Sequence, residues 1–254
     1  MRTVQMTDRS RVIKRFVLDI FFPNKCPVCR RAIRWDKLIC NDCLEKLPVL
    51  ESAEQCIFCG KLHPEGEPCQ SKNSYDNAVS VMKYKENAKR AIYNFKNRYA
   101  LNLAEFSAPY IYKALEENDL LKTADCVTYV PMYKKKEFRR GYNQARELAR
   151  YVSYSTGVPL VREMLVHKKT QTSQHNLSAD ERKLAAKSTY SLNPKSKWDK
   201  GFKTVILVDD VLTTGSTLNA CADILKQAGF ERVICASICV TPLQKENEDI
   251  KAAQ

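Results

Sequence analysis

The chain has 254 residues, a formal net charge of +13 and 44% hydrophobic residues, with 7 glycines and 10 prolines. A chain of that length buries one good core with an appendage, and its composition excludes a disordered protein. So large a basic surplus points to an anionic partner, whether phosphorylated metabolite, nucleic acid or acidic membrane surface, without choosing among them.

The N-terminus starts basic, but its longest apolar stretch, Phe16 to Phe22, is short and interrupted by Asp19. It fits neither a signal-peptide core nor a membrane span, so residues 1–25 read as a helical segment and the expected compartment is the cytoplasm. Of the 11 cysteines, seven then fall between Cys26 and Cys69. Cys26-Pro-Val-Cys29 and Cys40-Asn-Asp-Cys43 form a C-x2-C pair repeated after a ten-residue gap. Two knuckles so spaced bring four thiolates around one tetrahedral zinc, and in a reducing cytoplasm metal is favoured over disulfides.

Cys56-Ile-Phe-Cys59-Gly60 repeats the knuckle, but Lys72 stands where Cys69 would need its partner cysteine. Either His63 completes a second set with Cys56, Cys59 and Cys69, or the second ribbon has lost its metal. Residues 26–72 are thus a zinc ribbon, single or double. A closed thiolate site leaves no open coordination position, so the module is structural or a docking surface and not a hydrolytic centre. Cys126, Cys221, Cys235 and Cys239 sit singly in apolar patterns as small buried hydrophobes and carry no assigned role.

From Tyr75 the pattern changes to alternating strands and helices, with a domain expected over 75–240 and a frayed tail over 241–254. DNAVSVMKY reads as a strand, and ENAKRAIYNFKNRY and LAEFSAPYIYKALEEN as helices. DCVTYVPM is a second strand, GYNQARELARYVSYSTG a helix stopped at Gly157, and VPLVREMLVH continues into strand. A polar stretch from Lys168 to about Ser196 carries few order signals. FKTVILVDD is a nearly all-apolar strand, STLNACADILKQAG a helix closed by Gly229, and FERVICASICV another buried strand. This order gives an α/β fold with right-handed crossovers and a parallel sheet.

In such sheets ligands bind beyond the carboxyl ends of the strands, where a loop entering a helix offers unpaired N–H groups and the positive end of the helix dipole. Thr213, Thr214, Gly215, Ser216 and Thr217 fill that position. Small hydroxylated residues and one glycine let the backbone wrap a phosphate. A phosphate repels carboxylates, so Asp209 and Asp210 must address other groups of the same ligand, and sugar hydroxyls suit them. A 5-phosphorylated ribose supplies both; the competing reading makes the aspartates an N-cap and turn.

VILVDDVLTTGST resembles the phosphoribosyl diphosphate (PRPP) signature of type I phosphoribosyltransferases. Together with the four-cysteine N-terminus, FFPNKCPVC, YNFKNR and VPMYKKKEFRRGYNQA, it is similar to the competence protein F family, which joins a zinc ribbon to such a domain. The resemblance implies that Asp209 and Asp210 hold the ribose hydroxyls and that residues 213–217 bind the 5-phosphate. It also implies that the strand ending at Val130-Pro131-Met132 leads into a pyrophosphate loop. Lys134, Lys136, Arg139, Arg140 and Gly141 suit a Mg²⁺-bound diphosphate independently, since forked guanidinium groups match its oxygens; a solvated basic loop is the alternative.

The stretch 168–188 corresponds to the family's hood over PRPP and keeps Gln174, Leu177 and Arg182, but Ala185 replaces the usual asparagine. His175 within it reads as an exposed polar residue, and His167 as packing at a strand end. The resemblance further implies a role in handling incoming single-stranded DNA during transformation, with DNA-uptake or helicase proteins as partners.

Three functions follow: a Mg²⁺-dependent phosphoribosyltransferase of unassigned acceptor, a PRPP sensor or adaptor without turnover, or a single-stranded DNA binder with a vestigial phosphate loop. The last would use the basic faces 83–98 and 134–150 with Tyr84, Tyr93, Phe95 and Tyr99, although their periodic spacing fits core packing better. The sequence has no G-x-x-x-x-G-K-[ST], G-x-G-x-x-G or H-E-x-x-H, so a P-loop nucleotidase, a Rossmann dehydrogenase or a zincin protease is not supported.

Overall fold

The computed structural model describes residues 23–51, 54–63, 68–168 and 189–242. The expected N-terminal segment before residue 23, the hood residues Gln174 and Arg182, and the tail beyond 242 lie outside the described residues. In chain order the elements are α1 (Asn41–Leu44), β1 (Asn77–Lys83), α2 (Glu86–Asn97), α3 (Asn102–Glu117), β2 (Cys126–Tyr129), α4 (Lys134–Arg140) and α5 (Gln144–Thr156). After them come β3 (Leu165–His167), β4 (Tyr190–Leu192), β5 (Thr204–Leu212), α6 (Ser216–Gln227) and β6 (Arg232–Val240).

The apolar runs become a four-stranded sheet in the order β1-β6-β5-β2, all parallel. Both central strands are buried almost throughout, as helices on the two faces require. α3 and α5 pack together and against the sheet, while α6 contacts β5, β6 and the β3-β4 hairpin. Each fully buried Leu or Ile of these layers contributes about 2 kcal/mol. Cys126, Cys221, Cys235 and Cys239 are buried within this core, and burial pushes the Cys126 thiol up to about 12.

Several expectations are corrected. The strand carrying the aspartates does not stop at Asp210: Val211 and Leu212 still pair with Cys239 and Val240. VPLVREMLVH is not one strand, because Leu160 makes an isolated bridge to Val127 and only Leu165–His167 forms β3. The partner of β3 is Tyr190–Leu192, so order begins inside the polar stretch as well. The basic run 134–140 is a helix and not a loop, stopped by Gly141 at φ 86°. Tyr99 lies against Gly141 where a side chain would project, so glycine is required there.

The ribbon is sewn to the sheet. Val49 bridges Met82 antiparallel, with Leu50 N–H donating to Val81 and Lys83 N–H to Pro48. Further along the same edge Ala78 N–H donates to Ile57, and Ser80 N–H to the Gln55 side chain. Buried Asn94 of α2 donates to the carbonyls of Pro27 (2.8 Å) and Val28 (3.1 Å), and Asn102 of α3 to those of Lys25 and Leu38. Among the described residues, no helix is long and apolar enough to cross a membrane.

Candidate functional site

The phosphate-loop candidate joins β5 to α6. Gly215 is the N-cap of α6 at φ 83°, with no side-chain cap of its own, and the Ser216 N–H donates to the Thr214 hydroxyl at 3.4 Å. Thr213, Thr214 and Ser216 are exposed, and the Thr214 and Ser216 hydroxyls are 2.9 Å apart. Thr217 is half-buried. Asp209 and Asp210 lie in β5 itself, before the loop, so the cap-and-turn reading of them does not hold.

Asp210 is 8% exposed; Asp209 keeps an edge to solvent but is packed round by protein. That packing, followed by the neighbouring charge of Asp210, raises the Asp209 carboxyl to about 7. Its Oδ1 accepts from the Asp210 N–H at 2.8 Å. The sequence reading missed Lys96 of α2, whose Nζ lies 2.9 Å from Asp210 Oδ2. YNFKNR shows a periodic helix but gives no sign of which strand end the lysine meets.

The basic residues divide. Lys136 is exposed on α4, yet desolvation first, then the charges of Arg140 and Lys96, lower its pKa, while the charge of Asp210 opposes them. Arg140 donates to Gln144 at 2.6 Å, whereas Lys134 and Arg139 are exposed on α4. Phe138 between them is 91% exposed, a second feature the sequence reading passed over. Much of RRGYNQ is also scaffolding. Gly141 ends α4, the Tyr142 hydroxyl donates to the Phe95 carbonyl, and Asn143 caps α5 through the N–H groups of Ala145 and Arg146. His167 packs between the rings of Tyr133 and Tyr190, in keeping with its expected role.

Both cysteine groups are assembled: Cys26, Cys29, Cys40 and Cys43 in one, Cys56, Cys59, His63 and Cys69 in the other, each with ligand atoms within 4.8 Å of one another. Cys29 and Cys40 sulfurs are 3.8 Å apart, about the edge of a tetrahedron with 2.3 Å zinc–sulfur bonds. His63 Nε2 is 3.0 Å from Cys59 Sγ, so the structure takes the four-ligand alternative for the second set. Burial resists ionisation of Cys29, but hydrogen bonds from the Arg31 side chain and backbone outweigh it and bring the thiol to about 6. These donor sets fit structural zinc.

The second set stands under the phosphate loop. Tyr75 donates its hydroxyl to the Cys59 carbonyl, and the same oxygen lies 3.3 Å from where a Gly215 side chain would begin. Ser74 N–H donates to Asn219 Oδ1 at 2.6 Å, and Asn219 N–H to the Gly215 carbonyl. Gly60 packs against Leu212, the last residue of β5.

The aromatics of α2 do not all enter the core as expected. Phe95 is fully buried, but Tyr93, turned off the apolar face of the helix, is 57% exposed, and Tyr99, beyond the helix end, is 64% exposed. Tyr93 borders a groove of about 600 Å³ between α2 and the first knuckle, lined also by Arg30, Tyr84, Lys89, Arg90 and Arg98.

Family models match two parts of the chain: a double zinc ribbon domain over residues 17–71 and a phosphoribosyl transferase domain over residues 138–253. Competence protein F of Haemophilus influenzae is 30% identical over 222 residues, covering 84% of this chain and 95% of that one. The DNA utilization protein YhgH of Salmonella typhimurium is 27% identical over 216 residues, covering 85% and 90%. The purine phosphoribosyltransferase of Pyrococcus horikoshii superposes with a TM-score of 0.35 at 19% identity over 57% of this chain and 74% of that one, too distant to add to the fold assignment. With its parallel α/β sheet, its two cysteine sets and that extended likeness, the chain belongs to the competence protein F family, a phosphoribosyltransferase-like domain preceded by a double zinc ribbon.

Proposed function

We propose that this protein binds PRPP with Mg²⁺ at the carboxyl end of β5 and acts as a phosphoribosyltransferase in the uptake of DNA. One observation carries the reading: two packed carboxylates precede a helix whose N-cap is a glycine with no capping side chain, its Ser216 N–H held only at 3.4 Å by the Thr214 hydroxyl. The N–H groups and the hydroxyls of residues 213–217 take the 5-phosphate. Asp209 and Asp210 accept from the ribose hydroxyls, and Lys136, Arg140 and their neighbours on α4 face the diphosphate. Mg²⁺ carried in with the diphosphate would supply counter-charge for the leaving group. Its hard, oxygen-seeking chemistry fits a site of carboxylates and phosphate oxygens. The names of the relatives, competence and DNA utilization, support the cellular role.

Calorimetric titration of PRPP with Mg²⁺ into zinc-loaded protein, beside Asp209→Asn/Asp210→Asn, tests this reading. Binding that is lost in the double variant supports it, and absent binding by folded wild-type protein removes it. Release of pyrophosphate with a supplied acceptor then separates a transferase from a PRPP sensor or adaptor.

A second reading, which coexists with the first, is favoured by the groove between α2 and the first knuckle. Its four cations and exposed Tyr93 ring match the backbone and bases of single-stranded DNA.

A further inference from the structure

We propose that Lys96 is a positioning residue of the ribose site, holding Asp210 so that its second carboxylate oxygen accepts from a ribose hydroxyl. The inference rests on the PRPP reading. Lys96 lies in α2, outside the stretch matched to the phosphoribosyl transferase domain, which covers residues 138–253.

The Lys96 ammonium lies 2.9 Å from Asp210 Oδ2, and that carboxylate is largely withdrawn from solvent, with 12% of its side chain exposed. The ion pair at Oδ2 draws that oxygen toward the ammonium and leaves Oδ1 as an acceptor. Two adjacent carboxylates in packed surroundings repel each other, and the proton this favours goes to Asp209, whose carboxyl is raised, while Asp210 has Lys96 as its counterion. A protonated acid donates where a sugar hydroxyl needs an acceptor. Lys96 therefore offsets the repulsion on the side of Asp210.

The lysine is itself held in place. Its neighbour Phe95 is fully buried, and the Tyr142 hydroxyl donates to the Phe95 carbonyl. Asn94, one residue further back, is bound to the first knuckle through Pro27 and Val28. Three fixed points within one helical turn bring the Lys96 stem to β5, so the ribbon and α2 complete a site whose phosphate loop lies far along the chain. The charges of Lys136 and Asp210 also interact. Lys136 is the closer match to a diphosphate ligand, because no carboxylate among the described residues forms an ion pair with it.

The test measures affinity by calorimetry for PRPP with Mg²⁺, for ribose 5-phosphate and for inorganic diphosphate, in wild type, Lys96→Met and Lys96→Arg. Thermal melting checks that each variant is folded. Positioning through Asp210 predicts that Lys96→Met weakens PRPP and ribose 5-phosphate by the same factor, about tenfold for one partly buried charged contact. Diphosphate binding stays unchanged, and Lys96→Arg restores most of the loss. Loss of PRPP and diphosphate affinity with ribose 5-phosphate unaffected would overturn the proposal by making Lys96 a diphosphate ligand. A loss that arginine does not restore would reduce the residue to packing, and unchanged affinities would leave it without a role. Wild-type protein that binds no PRPP fails the underlying reading, an outcome distinct from all of these.

Discussion

Tyr75 and Gly215 meet across the boundary between the second cysteine set and the phosphate loop. The tyrosine hydroxyl donates 3.0 Å to the Cys59 carbonyl and stands 3.3 Å from the position a Gly215 side chain would take. The second cysteine set and the loop 213–217 therefore share one floor.

If that floor depends on the metal, Cys69→Ser loosens the loop. The expected result is faster amide hydrogen exchange at residues 213–217 and several-fold weaker PRPP binding. Cys40→Ser, in the set tied to α2 and α3, loses its own zinc and leaves the exchange of the loop unchanged. Zinc content by metal analysis and exchange by mass spectrometry check both.

Tyr75→Phe removes the donor and leaves the Cys59 carbonyl without it at a residue that is 3% exposed. An unsatisfied buried acceptor costs about 1–3 kcal/mol, to be read as a lower denaturant midpoint with unchanged slope. Gly215→Ala adds a side chain at φ 83°, against Tyr75 and Asn219 Nδ2, and is expected to cost about 1–2 kcal/mol. The same change lowers the affinity for inorganic phosphate, because the N-cap can no longer hold its shape.

Asp209 gives a pH signature. Its carboxyl is raised from 3.8 to about 7 by packing and by Asp210, so the native state binds a proton more tightly than the unfolded chain. The associated stability is complete below the ordinary value of 3.8 and is lost as pH rises through about 7. Asp209→Asn is expected to melt several degrees above wild type at pH 8. That advantage shrinks to nothing below pH 4, and equal shifts at both pH values would contradict the assignment.

The groove predicts salt-dependent binding of an oligothymidylate. Arg90→Ala and Arg98→Ala should each lower the slope of log affinity against log salt by about 0.7, and Tyr93→Ala should cost about 1–3 kcal/mol at every salt concentration. Lys113→Ala, on the exposed side of α3, leaves both unchanged. Filter binding or fluorescence anisotropy over a salt series measures the difference.

The parts legible in the sequence were those fixed by short-range pattern. The apolar run of β5, its aspartates, the loop of small residues and the two knuckles all follow from neighbours along the chain. What escaped depends on distant partners. Lys96 reads as one more charge on a helix until β5 places Asp210 beside it. KKKEFRR looks like a solvated loop because its helix is short and its stop at Gly141 is enforced by Tyr99 from another element. Tyr93 and Phe95 belong to the same periodic helix, and only the packed structure separates the ring facing the groove from the one in the core. β3 and β4 have three residues each, too few for periodicity to register.

The strip that joins the ribbon to β1 limits how this protein can be rearranged. Pro48, Leu50, Gln55 and Ile57 together occupy backbone groups along the outer flank of the sheet. Cutting the gene between the two family-matched regions would not yield a smaller working unit; it would uncover a strand flank ready to pair with a second copy. Inheritance of the two modules as one piece follows from that shared seam, whatever chemistry either half performs.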